Sequence, residues 1–320
     1  MAVVFVIGGL AHLHQLTGFA ALGALVSAFC RPDPYPVRQG RLMMLAAGIT
    51  ASVGAGAALG AAALPFAVDV AVISLLAGAA AYLMWALHIV GPGAVVFVFA
   101  AVGAQGAAEH AGDVVRLMGM TVGGAAIGVT VAMAPWWFSR RSHTEPSAAQ
   151  RESLISTLAR APHATLAVRG LRIACAGALG AAAAAGLGFE HPMWAAMGAV
   201  ATMQGVGYHM TVQRGAQRLL GNIGGAVLAA ALLALPLGYW GAVAAIIVFQ
   251  VAAEVCSTIN YALTSLAVTP MALLLTGLGA GLAPEVAVDR IADTAIGIVV
   301  GIAVAAVAIT STEHRSLTTG

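Results

Sequence analysis

Long apolar runs, broken by short polar punctuation at Pro, Gly and clusters of charge, dominate the chain. Cutting at those breaks predicts helical spans over Ala2 to Ala11, Thr17 to Cys30, Arg41 to Leu64, Asp69 to Leu87, Ile89 to Ala108 and Val114 to Trp137. A second series follows over Leu166 to Leu187, Met193 to Val206, Arg214 to Leu235, Tyr239 to Ile259, Tyr261 to Ala280 and Val286 to Ile309. The second span of each series is short against the about 20 residues of a full crossing. It either borrows flanking polar residues or thins the bilayer locally.

The two series read as one unit written twice. Thr17-Gly18-Phe19-Ala20-Ala21-Leu22-Gly23-Ala24, followed by Arg38 and Arg41, returns as Met193-Trp194-Ala195-Ala196-Met197-Gly198-Ala199, followed by Arg214 and Arg218. Arg116-Leu117-Met118 leads into Gly123, Gly124 and Gly128, as Arg290-Ile291-Ala292 leads into Gly297 and Gly301. The offset is about 175 residues throughout and drifts by only a residue or two, as in a duplication. Two copies of a membrane unit usually enclose a pathway.

Composition places the unit in lipid. Of all residues 61% are hydrophobic and 8% charged, far outside the soluble range. All 14 basic residues are Arg, and the absence of Lys excludes a P-loop ATPase and Schiff-base chemistry. Transport then draws on a gradient or a partner. Cys30, Cys175 and Cys256 stand far apart, without a CxxC pair or His cluster, and read as small apolar side chains. No metal site, cofactor or nucleophile-base pair is expected, which argues against an enzyme. The arginines are scattered along loops, so nucleic acid is not an expected partner.

With six crossings per half, Arg31, Arg38, Arg41, Arg140, Arg141, Arg151, Arg160, Arg169, Arg172, Arg214, Arg218 and Arg315 share one side, and only Arg116 and Arg290 face the other. The positive-inside bias makes the first side, with both termini, cytoplasmic. Treating the short second spans as re-entrant loops weakens that bias. The expected fold is therefore all-α and polytopic: two similarly oriented six-helix repeats, about 12 transmembrane helices, in residues 1–138 and 166–310. A cytoplasmic linker at 139–165 and a cytoplasmic tail at 311–320 complete the division. The first span is about ten residues shorter than its counterpart, which raises the expectation that Met1 is not the natural start. Read instead as a signal peptide, Met1 to Gln15 lacks a basic n-region and a cleavage site.

His191-Pro192-Met193-Trp194-Ala195-Ala196, then Met203-Gln204, then Arg214 and Arg218-Leu219-Leu220-Gly221-Asn222-Ile223-Gly224-Gly225 resemble the fusaric acid resistance family, also called the aromatic acid exporter family. Arg290-x-x-Asp293-Thr294-x-x-Gly297 is similar to that family's last-helix motif. Arg31-Pro32-Asp33-Pro34 and Arg38-x-x-Arg41 are the best matches in the first half. The resemblance implies a bacterial inner-membrane protein exporting aromatic carboxylic acids or similar organic anions, without the large cytosolic domains of longer exporters. It also implies a likeness to plant malate channels, in which a six-span unit dimerises around an arginine-lined path. A homo-oligomer or a periplasmic efflux partner would be consistent with that class.

Several residues carry alternative readings. Arg41 and Arg218, with Arg38 and Arg214, are either anion ligands near a pseudo-twofold axis at the cytoplasmic mouth or positive anchors reaching lipid phosphates. Replacing Arg41 and Arg218 together by Ala is expected to abolish flux on the first reading. Arg116 and Arg290 either form an outer ring of the same path or pair locally with Asp113 and Asp293. Glu254, an acid inside a span, either bridges Arg218 or couples proton movement to transport. It shares an expected helical stripe with Gln250, Ser257, Thr258 and Tyr261, whereas the first half has Ala79 at the matching place. This leaves Arg41 as the freer anion ligand. Gln204, Asn222 and His209 either add hydrogen bonds to a carboxylate or are merely interfacial. Pro92 and Pro270 predict kinks in the fifth spans.

The expected function is gradient-driven export of organic anions. A passive anion channel and a non-transporting membrane scaffold are the alternatives.

Overall fold

Proline decides where several helices begin. Its fixed φ suits the first turn and its missing N–H is not needed there. In the computed structural model, which describes residues 1–139, 154–204, 208–280 and 285–318, α3 (Tyr35–Ala62) follows Pro34, α4 (Phe66–Ala86) follows Pro65 and α9 (Pro192–Thr202) opens on Pro192. The other helices are α1 (Ala2–Leu10), α2 (Thr17–Ala24) with a 3-10 turn at Leu25–Ala28, α5 (Val95–Gln105), α6 (Ala111–Ser139), α7 (Leu154–Ala159) and α8 (His163–Gly186). They continue with α10 (Tyr208–Leu233), α11 (Gly238–Cys256), α12 (Tyr261–Ala280) and α13 (Glu285–Thr318). No strand occurs among the described residues.

Eight of these helices, α3, α4, α6, α8, α10, α11, α12 and α13, are long and apolar enough to cross a bilayer. The chain is a multi-pass membrane protein. The expectation of twelve spans exceeds this count, because α1, α2, α5 and α9 hold 9, 8, 11 and 11 residues. At 1.5 Å per residue none reaches the roughly 30 Å of a hydrocarbon core. The fifth span of the first half loses its start to Gly91-Pro92-Gly93, where Gly93 takes φ 96°. Pro92 thus lies ahead of α5, whereas Pro270 sits inside α12.

The chain divides into two compact units, Met1–Leu171 and Arg172–Gly320, with the break inside α8. The expected linker carries α7 and the start of α8, joined through Arg160, Ala161 and Pro162, and Leu154 of α7 lies 3.0 Å from the Cβ position of Gly40. Arg140, Arg141 and Arg151 lie outside the described residues. The expected tail is a continuation of α13 as far as Thr318.

In the first unit α2 packs on α6, and α3 packs on both α5 and α6. Gly124 and Gly128 abut the carbonyls of Ala20 and Ala24, and Gly56 abuts that of Ala101, so these pairs run parallel with backbones in close approach. In the second unit α9 packs on α13, and α10 packs on both α12 and α13. Gly297 and Gly301 abut the carbonyls of Ala195 and Ala199, while Gly221 and Gly225 abut those of Ala262 and Leu266. A side chain at Gly297 would collide with backbone that cannot yield, whereas nothing lies within 4 Å of the Cβ position of Gly123. Gly297→Val is expected to cost about 2 kcal/mol in detergent unfolding followed by tryptophan fluorescence, and Gly123→Val to be near neutral.

Ahead of α3, Cys30 is buried in a left-handed turn at φ 54°, with its N–H donating to the Val90 carbonyl at 2.8 Å. Burial, with the Asp33 carboxylate adding to it, pushes the thiol up to about 12. A raised thiol stays neutral through the physiological range, so at pH 8 Cys30 carries roughly a thousandfold less thiolate than an ordinary cysteine. Alkylation by a water-soluble maleimide should be correspondingly slow and should accelerate only in strong alkali.

Candidate functional site: a buried arginine cluster in the second unit

Arg214, Arg218 and Asn222 recur every four residues along α10, as Tyr261, Ser265 and Thr269 do along α12. That spacing puts each triplet on one helical face. Gly221 and Gly225 bring the two parallel helices close enough for the triplets to meet. The Arg218 guanidinium donates to the Tyr261 hydroxyl at 3.1 Å, and the Arg214 guanidinium lies 4.0 Å from the centre of the Tyr261 ring. Arg214 Nε also donates to the Ala201 carbonyl at 3.2 Å.

Deeper along the ladder, the hydroxyl oxygens of Ser265 and Thr269 lie 3.0 and 2.7 Å from the Asn222 amide oxygen. Ser265 Oγ is also 3.3 Å from the Arg218 carbonyl, and Thr269 Oγ1 is 2.9 Å from that of Ser265. Asn222, Ser265 and Thr269 are all buried, and in lipid such groups remain only because they satisfy one another. The buried face of α5 in the first unit is instead wholly apolar, formed by Val96, Phe97, Val98, Ala100, Ala101 and Ala104.

The second half of the site comes from α9 and α13. Arg290, only 7% exposed, holds its guanidinium 4.9 Å from the Trp194 ring, which stacks on His191 at 4.6 Å. Its guanidinium is within electrostatic reach of Arg218 and of Asp293, which is 0% exposed. The sequence-based charge count puts Arg218 and Arg290 on opposite sides of the membrane. The structure brings them within electrostatic reach of one another, because Arg218 sits well inside α10 (Tyr208–Leu233) and not at its end. The Nε atoms of both arginines are buried and have no hydrogen-bond partner.

Two nearby permanent cations with unused N–H groups, in surroundings poor in water, are suited to a carboxylate or another oxyanion. Hydroxyls and an indole line the same region. Among the described residues, no group of three His, Cys, Asp or Glu side chains gathers to hold a metal ion.

The remaining candidates lie elsewhere. Arg41 is not the freer ligand: its guanidinium is 2.7 Å from the Asp33 carboxylate, and the pair is largely buried. Arg38 donates weakly to the Ala132 carbonyl at 3.4 Å. Like Arg41, it keeps a buried Nε without a partner. Arg116 is exposed and 3.7 Å from Asp113, whose carboxylate accepts the N–H groups of Glu109 and His110 at the start of α6. This is the arrangement of the local pairing. Gln204 follows α9, half-buried. Glu254 accepts from the Gln250 amide at 2.8 Å. The expected stripe beyond it is broken, because α11 ends at Cys256 and Tyr261 opens the next helix. Ser257 and Thr258 turn back onto the carbonyls of Glu254 and Val255.

Sequence reasoning named Trp194 only within its motif and repeat, with no role at the site, did not single out Ser265 or Thr269, and gave Tyr261 to the wrong stripe. The repeated spacing of four in α12, facing the same spacing in α10, is the signal that carries Tyr261, Ser265 and Thr269.

Residues 175–304 match the family model described as fusaric acid resistance protein-like. That stretch of the chain is similar to the fusaric acid resistance family. Every residue of the arginine cluster, from His191 to Asp293, falls inside this fusaric acid resistance-like region. No curated protein and no solved structure matches the chain.

Proposed function

We propose that the chain is a transporter of small organic anions, with a bias to aromatic carboxylates, working outward across the bacterial cytoplasmic membrane. The observation that carries this reading is the approach of Arg218 and Arg290 inside the fusaric acid resistance-like unit, each with a buried, unpartnered Nε–H. The Trp194 indole under Arg290 offers a flat apolar face beside the charge, which supports the aromatic bias. A duplicated six-helix unit is part of the proposal. It is supported by matched packing, since α2 and α6 meet through glycines as α9 and α13 do, and α3 meets α5 as α10 meets α12. Counting the four short helices gives six elements in each half, α1 to α6 and α8 to α13. Glu254 is the proposed coupling carboxylate, held ready by Gln250.

The experiment uses purified protein in proteoliposomes with radiolabelled benzenesulfonate, which stays ionised and so does not cross lipid as a neutral acid. Counterflow is expected in protein-containing vesicles and not in empty ones. Its absence from both would overturn the transport reading. With the membrane potential clamped, a pH gradient alone should drive accumulation, and Glu254→Gln should abolish that accumulation while keeping counterflow. Flux that follows only the electrical potential would mark a passive channel instead.

A further inference from the structure

Asp293 is a cost that a simple anion site would avoid. A carboxylate beside the two arginines repels the ligand they attract. It is nevertheless 0% exposed, one helical turn from Arg290 on α13, within electrostatic reach of that guanidinium. Its surroundings admit little adjustment. The adjacent Thr294 is buried, and the Gly198 Cβ position on α9 lies 3.0 Å from the Thr294 carbonyl. Gly297, one turn on, abuts the Ala195 carbonyl. Among the described residues, Arg290 on α13 itself and Arg218 from α10 lie in electrostatic reach of one another, Tyr261 accepts from Arg218, and His191 stacks on Trp194 at the head of α9. Arg214 is turned to the Tyr261 ring and the Ala201 carbonyl.

With Asp293 ionised, the two guanidiniums of Arg218 and Arg290 and its one carboxylate would together carry a single net positive charge. In low dielectric, neutrality on binding is strongly favoured, so the ligand's charge should match that remainder. We propose that Asp293 sets the charge selectivity of the site, matching it to anions that carry one negative charge and penalising those that carry two. Specificity then arises from a built-in repulsive element as well as from attraction. This rests on the anion-transport reading above and adds a selectivity rule to it. Asp293 acts here by its field on the ligand beside Arg290 and need not touch the ligand.

The test compares binding of benzenesulfonate and benzene-1,3-disulfonate to the full-length detergent-solubilised protein by isothermal titration. The wild type should prefer the monosulfonate. Asp293→Asn should shift the ratio of the two dissociation constants at least about tenfold toward the disulfonate. Asp293→Glu, which keeps the charge, should hold the wild-type ratio, as should Asp113→Asn, which removes a carboxylate from the other unit. An unchanged ratio in Asp293→Asn overturns the inference, as does an equal shift in Asp293→Glu. Should Asp293→Asn fail to fold, Arg290→Gln tests the same field from the other side. Removing a positive charge must move the ratio toward the monosulfonate, and no movement overturns the inference. If the wild type binds and moves neither sulfonate, the transport reading falls. If it binds both with a ratio indifferent to Asp293, only the selectivity rule falls.

Discussion

Arg218→Gln is expected to lower benzenesulfonate counterflow about a hundredfold while the protein still inserts and purifies at normal yield. The substitution keeps a hydrogen-bonding side chain near Tyr261, so the α10 and α12 contact survives through Gly221, Gly225 and the Asn222 ladder. What disappears is one of the two permanent charges proposed to face the anion. Losing one partner of a desolvated charged contact typically costs about 2–5 kcal/mol of binding. Arg41→Gln should behave differently, since Arg41 is already neutralised by Asp33 within its own unit. Its main effect should be on stability, with a flux change of about tenfold or less. Counterflow measured in matched proteoliposomes separates the two. Equal losses from both arginines would return the site to the symmetric arrangement expected from sequence.

Arg290→Gln is expected to destabilise the second unit by about 3 kcal/mol, because Asp293 then loses the field of its neighbouring cation while staying buried. Combining it with Asp293→Asn should restore most of the loss, since replacing both charges removes the electrostatic penalty that replacing one creates. Unfolding in detergent, followed by tryptophan fluorescence, gives the double-mutant cycle. Additive losses would show that Arg290 acts through its stacking on Trp194 rather than through Asp293. Neither variant is expected to carry normal flux, so stability and transport are read separately.

The long helices were legible because each contains a long apolar stretch with a proline, glycine or charge near its ends. The short ones were not, for the same physical reason. In a chain with 39 glycines, Ala- and Gly-rich stretches have the same hydropathy whether they cross the bilayer or stop part-way. What shortens α5 is the Gly91-Pro92-Gly93 turn, which Phe29 packs against and which Cys30 joins through Val90. That contact joins positions about sixty residues apart, beyond the reach of local periodicity.

The site was legible in part. Arg214, Arg218, Asn222 and Arg290 were singled out from sequence, and the matched family covers all of them. Their grouping was not. Counting charges by side assigns each arginine to the membrane face nearest its helix end, but Arg218 sits well inside α10. Arg218 and Arg290 therefore approach from helices that run in opposite directions. The Asp33 partner of Arg41 was hidden as well. Their separation of eight residues spans the turn at Pro34, so helical spacing does not relate them.

The central claim is that one anion is held between Arg218 and Arg290, beside Trp194, within the fusaric acid resistance-like unit. An experimental structure of the full-length protein with 4-iodobenzenesulfonate, in which the iodine marks the ligand by its anomalous signal, tests this most directly. The sulfonate should lie within hydrogen-bonding distance of both guanidiniums, with its ring against the indole. A ligand bound instead at Arg38 and Arg41, or at Arg116, would contradict the account.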